Sequence, residues 1–368
     1  MQFEVIHGRV AKLRALMREK EMDAFLLIVT SGLNSENCHY ISGFRGSSAA
    51  IVIDGEREVL ITDGRYKSQA EQQSPFALTV HRDLPLTEFV SNLLGESGYG
   101  CVGFESERLF HGFVERTLKK IPVNWKEASS LIPSLRRSKD RSEADAIREA
   151  GAIARKAFDV LLYQVRPGMT EVEFENRLLY EIKKAGGEKG WSHADFIVVS
   201  GARGAMCHGR ATDKPFAAGD TVTVDFGAMK DGYMCDITRN FAIGKANSRA
   251  QEISEILIKA HHDAVATLRP AVSGKDVDAV ARKVVADAGY EKHFVHGLGH
   301  GLGLEVHESP RLSEISKDTL QEGDVITIEP GIYIEGWGGL RVEDNYIVTL
   351  SGAECLTLSD DQRLSVVG

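Results

Sequence analysis

Four carboxylates and one histidine in this chain share a chemistry that their settings disfavour singly. Asp225 and Asp236 lie in GDTVTVDFGAMKDGYMCDITRNF, and Glu329 and Glu343 lie in GDVITIEPGIYIEGWGGLRVEDNYIV. The two stretches align at an offset of 104 positions, which puts Gly219 and Asp220 on Gly323 and Asp324, Asp225 on Glu329, and Gly227 on Gly331. A few residues later Asp236 falls on Glu343. Each half ends one apolar, strand-like run with a carboxylate and begins the next with another. An ion in such a run is costly to bury without a partner. Four in duplicate must converge on something positive. With His300 they form a set of one imidazole and four carboxylates. Such oxygen-rich ligation suits Mn2+ first, and also Co2+, Fe2+ or Zn2+. Four negative charges exceed one divalent ion and nearly balance two. Two ions held about 3.5–4 Å apart can activate a shared water and stabilise an oxyanion.

His300 belongs to the densest motif, HGLGHGLGLEVHESP, which also holds His296 and His307. Its glycines would let backbone pass close to something bulky. The spacing does not satisfy G-x-G-x-x-G, and neither a P-loop nor HExxH occurs in the chain. Three of the chain's 12 histidines lie within these positions, which argues against an incidental glycine-rich turn.

The elements that must carry these residues are also duplicated. VRPGMTEVEFENRLLYEIKKAGG (165–187) matches LRPAVSGKDVDAVARKVVADAGY (268–290) at an offset of 103. Each reads as Arg-Pro, a turn, an amphipathic helix and a glycine stop. Two matched motifs in one order imply a repeated unit of about a hundred residues, too long for a solenoid. A pseudo-symmetric domain with a site between its halves fits.

Upstream, AFLLIV (24–29), AAIVID (49–54) and EVLITD (58–63) read as strands. Helical patterns fall at 67–73, 86–96 and 109–121, with CVGFES (101–106) between the last two, and this region predicts a separate α/β domain. The Pro133 region and the charges from Arg136 to Arg141 read as a linker. Ser142, followed by Glu143, predicts a long helix running to about Val165. The expected division is 1–132 and 133–368.

The net charge of −9 argues against nucleic-acid and anionic-membrane partners. The first residues are charged and amphipathic, with Val10, Leu13 and Met17 on one face, and lack the apolar core of a signal peptide. Five scattered cysteines without CxxC suggest reduced thiols and a cytoplasmic setting.

The motifs resemble those of the creatinase/prolidase, or pita-bread, metallopeptidases, which include Xaa-Pro aminopeptidases, Xaa-Pro dipeptidases and methionine aminopeptidases. VDFGAMKDGYMCDITRNF resembles the paired-aspartate segment, HGLGHGLGLEVHESP the histidine segment, and ITIEPGIY with GLRVEDNYIVT the two glutamate segments. The implied fold is an α/β creatinase-like N-terminal domain followed by a pseudo-two-fold pita-bread catalytic domain of α+β type. The implied roles follow residue by residue. Asp225 would hold one ion, and His300 and Glu329 the other. Asp236 and Glu343 would bridge the pair, with Glu329 assisting as base. His307 would contact the scissile carbonyl, and His296 and His208 would line the substrate site. His208 sits in SGARGAMCHGRATDK, where Cys207 replaces the family's usual proline. Arg341, two residues before Glu343, would point to the same face of a strand and orient its carboxylates.

The complete ligand set favours an enzyme over a non-catalytic binding module on the same fold. NCHYISGFRGSSAAIVI and LITDGRYKSQAEQQ resemble Xaa-Pro aminopeptidases more than dipeptidases. The resemblance therefore implies two divalent ions, short proline-containing peptides as substrates, and a homodimer or larger homo-oligomer. A strict dipeptidase needs a cation for the proline carboxylate. Arg341 is tied to the metal shell, which leaves Arg45 and Arg65 as candidates. The expectation is that Xaa-Pro-Xaa peptides are cleaved at least as well as Xaa-Pro dipeptides.

Overall fold

The computed structural model describes residues 3–191, 195–357 and 362–368. The chain forms two compact units, Met1–Arg136 and Arg137–Gly368. Among the described residues, no helix is long and apolar enough to cross a membrane.

In the first unit, six strands form one mixed sheet in the order Ala77–His81, Glu58–Asp63, Ser48–Asp54, Ala24–Thr30, Cys101–Phe104, Asn124–Glu127. Ala24–Thr30 lies inside this sheet and is buried through Val29, which explains its unbroken apolar run. The helix Phe3–Glu19 buries Ile6, Val10, Leu13 and Met17, the expected face. Lys67–Gln73 and Leu86–Glu96 are helical as expected. The pattern at 109–121 instead breaks into His111–Arg116 and the single turn Leu118–Lys120. In a continuous helix the Leu118 carbonyl would face Pro122, which has no N–H, and it accepts instead from the Trp125 indole at 2.9 Å.

A helix the sequence did not suggest, Ser35–Ser42, follows Asn34 in the left-handed region at φ 71°. Its neighbourhood explains that backbone. Glu105, 1% exposed, accepts from Asn34 Nδ2 and Asn37 Nδ2, each at 2.6 Å. Asn37 Oδ1 in turn accepts from Arg136 at 2.6 Å. Burial pushes the Glu105 carboxyl up to about 7, against the lowering pull of Asn34, Arg108, Asn37 and Arg136. The folded value lies above the unfolded value of 4.5, so this contribution to stability is complete below pH 4.5 and is lost as pH rises through about 7. The loss is on the order of 3 kcal/mol. Glu105→Gln should remove it. Asn34 Oδ1 has no partner and can turn to accept from the new amide. The stability gap between variant and parent, measured by denaturant unfolding, should widen in the variant's favour from pH 5 to pH 8.5. A gap that stays constant with pH would contradict the assignment.

The residues read as a linker are structured. Leu131–Arg137 is a helix with Pro133 in its first turn, where a missing N–H is tolerated. The expected boundary at 132/133 falls inside that helix. Arg137 pairs with Asp324 at 2.8 Å, and Lys139 pairs with Glu308 at 2.9 Å. The long helix is Arg141–Leu162. Asp140, rather than Ser142, caps it, because Asp140 and Glu143 form a reciprocal capping box.

The second unit repeats one plan. Its first half has strands in the order Ser365–Val367, Ile237–Ile243, Thr221–Phe226, Ile197–Ser200, with helices Arg141–Leu162 and Glu171–Lys184. Phe158 and Phe174 of those helices pack with Phe226 and Phe241 of the sheet. The second half has the order Glu308–Leu312, Gly299–Gly301, Val325–Ile328, Asp344–Thr349, Gly352–Cys355, with helices Ser248–Val265 and Gly274–Asp287. Leu257, Val277 and Ala281 pack there with Ile326 and Ile328. The repeat reaches the caps: Thr170 accepts from the Glu173 N–H, and Ser273 from the Asp276 N–H. The expected α/β architecture with a two-fold repeated C-terminal unit is the one observed.

Candidate metal centre

The repeat places its acids at strand ends that face one another. Asp225 lies near the end of Thr221–Phe226, and Asp236 immediately precedes Ile237–Ile243. Glu329 immediately follows Val325–Ile328, and Glu343 immediately precedes Asp344–Thr349. Cross-strand pairing then aligns them: Thr238 is opposite Asp225 on one side and bridges Glu343 on the other. His300 sits in the short strand Gly299–Gly301. A Cβ on Gly299 would lie 2.0 Å from the Thr327 carbonyl oxygen, and one on Gly301 would lie 2.2 Å from that of Ser309. The glycines of this motif thus admit neighbouring backbone rather than a bulky ligand.

Asp236, His300 and Glu343 offer ligand atoms that all lie within 4.8 Å of one another. His300 Nε2 is 3.3 Å from Glu329 and 3.7 Å from Asp236. Arg341 binds Asp225 directly and lies 4.0 Å from both Glu329 and Glu343. The five expected ligands are therefore in one cluster. Their hydrogen bonds leave one face bare. Asp225 Oδ1, Asp236 Oδ1 and Glu343 Oε1 are buried with no hydrogen-bond partner. Orphaned buried acceptors of this kind cost about 1–3 kcal/mol each, more when charged.

The electrostatics match. Burial, then the charges of Glu343, Asp225 and Glu329, holds Asp236 well above the usual carboxylate range. Burial, then Glu329 and Asp225, does the same to Glu343. Burial pushes Glu329 up to about 8, with Arg341 opposing and Asp225 adding. Burial pushes His300 down to about 3, so its ring is neutral. Its Nδ1 lies 3.1 Å from the Gly301 carbonyl, which can only accept, so the proton sits there and the Nε2 lone pair faces the acids. Acceptors without donors, a neutral imidazole lone pair and mutually repelling acids are the donor set that a divalent cation requires.

The other expected residues surround this cluster. The His307 ring lies 4.3 Å from that of His300, with much of its surface exposed. Its pKa is lowered by desolvation and by His208 and Arg311, against Asp225. His208 is exposed and close enough to act on both His307 and His296. The Cys207 carbonyl accepts from Arg341 at 3.3 Å, which ties the His208 loop to the centre. His296 is pushed down to about 4, chiefly by burial and then by Arg341.

Tyr333 and Arg311 were among the residues missed in the sequence. Tyr333 accepts from Arg341 Nη1 at 2.7 Å. A guanidinium only donates, so the Tyr333 proton goes to His296 Nε2, 3.0 Å away. The available signal was alternation: Glu329, Gly331 and Tyr333 are spaced by two. Arg311 directly follows HESP, which was signal enough. It is the cross-strand partner of His300, so both side chains share one face, and it is exposed.

A largely buried cluster of four acids and one neutral histidine, at the seam of a repeated α/β unit, is a donor set suited to a divalent cation. The Metallopeptidase family M24 profile matches residues 145–350, and the Creatinase/Prolidase N-terminal domain profile matches residues 9–138. The chain belongs to metallopeptidase family M24. It is 35% identical to an Xaa-Pro dipeptidase of Pyrococcus horikoshii, over 98% of this chain and 100% of that protein. It resembles the solved Xaa-Pro dipeptidase from Bacillus anthracis, with a TM-score of 0.92, 35% identity, and 98% and 100% of the two chains covered. It also resembles the X-Pro aminopeptidase from Thermotoga maritima, with a TM-score of 0.90, 34% identity, and 94% and 98% covered. Membership of this family implies binding of a divalent metal.

Proposed function

We propose that this chain hydrolyses the peptide bond between an N-terminal residue and a following proline, with two divalent ions held by Asp225, Asp236, His300, Glu329 and Glu343. The observation that carries this reading is the set of three partnerless carboxylate oxygens in one buried cluster with the His300 lone pair. Asp225 would serve one ion, His300 and Glu329 the other, and Asp236 and Glu343 both. Mn2+ is the first candidate, with Co2+, Zn2+ and Fe2+ as alternatives. When bound, the ions would supply water activation and carbonyl polarisation.

The chain's own groups do the rest. Glu329 lies at the exposed edge of the cluster, and its carboxylate would take the proton of the attacking water. The His307 ring would donate to the carbonyl oxygen as negative charge develops there. Arg341 holds Asp225 in place. The Tyr333 hydroxyl fixes the His296 ring, and with His208 that ring would line the substrate pocket. Proline suits such a site. An Xaa-Pro bond has no N–H for a general peptidase to grip.

For substrate length, Arg311 supports the dipeptidase alternative over the aminopeptidase expected from the sequence. Arg65 is engaged with Asp63 at 2.9 Å. Arg311, the cross-strand partner of His300 and close enough to act on His307, would receive the carboxylate of a dipeptide's proline. The dipeptidase names of relatives that match over the full length favour the same reading. The Thermotoga X-Pro aminopeptidase favours the other, cleavage of longer peptides. We expect kcat/KM for Xaa-Pro to exceed that for Xaa-Pro-Xaa by about tenfold or more. Arg311→Ala should lower the dipeptide value by about tenfold, chiefly through KM, and leave the longer peptide unchanged. Equal or better cleavage of the longer peptide by the parent enzyme would assign an aminopeptidase.

A further inference from the structure

The two central acids are held across the repeat in a reciprocal way. Thr238 lies two residues after Asp236, and Asn345 lies two residues after Glu343, so each pair occupies equivalent places in its half. Neither polar side chain serves the acid of its own half. The Thr238 hydroxyl lies 2.6 Å from Glu343 Oε2. Asn345 Oδ1 accepts from the Asp236 N–H at 2.9 Å, and its Nδ2 donates to the Asp236 carbonyl at 2.6 Å.

The direction of the Thr238 bond is determined. Arg341 Nε lies 2.9 Å from the same hydroxyl oxygen and can only donate. The hydroxyl proton therefore goes to Glu343 Oε2. That leaves Glu343 Oε1, the partnerless oxygen, as the one turned to the cluster. The hydroxyl thus accepts one bond and uses its only proton in the other. The seam continues with Arg239 Nη1 donating to the Glu343 carbonyl at 2.7 Å.

We propose that Thr238 and Asn345 are reciprocal positioning residues that set the orientation of the acid belonging to the other repeat, so that neither half can form the metal centre alone. This rests on the reading of Asp236 and Glu343 as shared ligands. Outer contacts of this type typically change metal affinity 10–100-fold, because they fix the ligand's rotamer before the ion arrives.

The test is metal affinity of chelator-stripped protein, measured by calorimetric titration with Mn2+, beside the thermal midpoint of the same metal-free samples. Thr238→Val keeps shape and removes the hydroxyl. It should weaken binding about 10–100-fold, while the metal-free midpoint falls only by the cost of the lost hydrogen bonds. Thr238→Ser restores the hydroxyl and should restore affinity to within about threefold. If valine crowds the site and the protein does not fold, Thr238→Ala removes the same hydroxyl with space to spare. Parent affinity in the folded valine or alanine variant would overturn the proposal. So would a loss that serine fails to recover. Failure of the parent protein itself to bind Mn2+ would instead strike the metal reading, on which the proposal depends.

Discussion

Replacing Glu343 with alanine is expected to abolish hydrolysis of Xaa-Pro substrates while the protein still folds. Glu343 is 1% exposed, and one of its oxygens has no partner. In the metal-free state its charge is a burden, since burial and the neighbouring acids disfavour ionisation. Its removal should therefore cost the fold little. The loaded state is different. If Glu343 is shared as proposed, its loss would take a ligand from both ions and leave three acids to balance four positive charges. The fall in kcat/KM should exceed about 10³-fold, or about 4 kcal/mol of transition-state stabilisation. Asp236→Ala should behave alike. Steady-state kinetics beside a circular dichroism spectrum checks this. Retention of a tenth of parent activity in either folded variant would remove that acid from the catalytic centre.

His307→Ala is expected to lower kcat by about 10²–10³ with a much smaller change in KM. The ring stands 4.3 Å from His300 and is neutral near pH 7, because its pKa is depressed by partial desolvation. A neutral imidazole can donate one hydrogen bond at no cost in desolvating an extra charge. Its contribution should grow only as the carbonyl oxygen becomes negative, so the loss belongs in kcat. An effect confined to KM would assign it to substrate binding alone. Metal content should remain at the parent level in His307→Ala and fall in His300→Ala.

Much of this site was legible because a duplicated carboxylate in an apolar run is hard to explain otherwise. Asp225, Asp236, Glu329 and Glu343 stood out through the repeat, and the helices Glu171–Lys184 and Gly274–Asp287 through its upstream match. The residues that escaped notice act across long sequence separations. Thr238 and Asn345 look like ordinary polar strand residues, and their partners lie more than a hundred positions away. Tyr333 has high strand propensity for its own sake. Its role follows from the register that sets Gly331 opposite Arg341. In the N-terminal unit, the helix Ser35–Ser42 was hidden because Asn34 adopts a left-handed backbone while bonding to buried Glu105.

In the proposed mechanism, five side chains from two repeats hold two ions that act together on an Xaa-Pro bond. Titration of chelator-stripped protein with Mn2+, with hydrolysis of an Xaa-Pro dipeptide followed at each addition, tests it most directly. No activity is expected without metal, with a rise that ends at two equivalents per chain. Full activity in metal-free protein, or a rise complete below one equivalent, would contradict it.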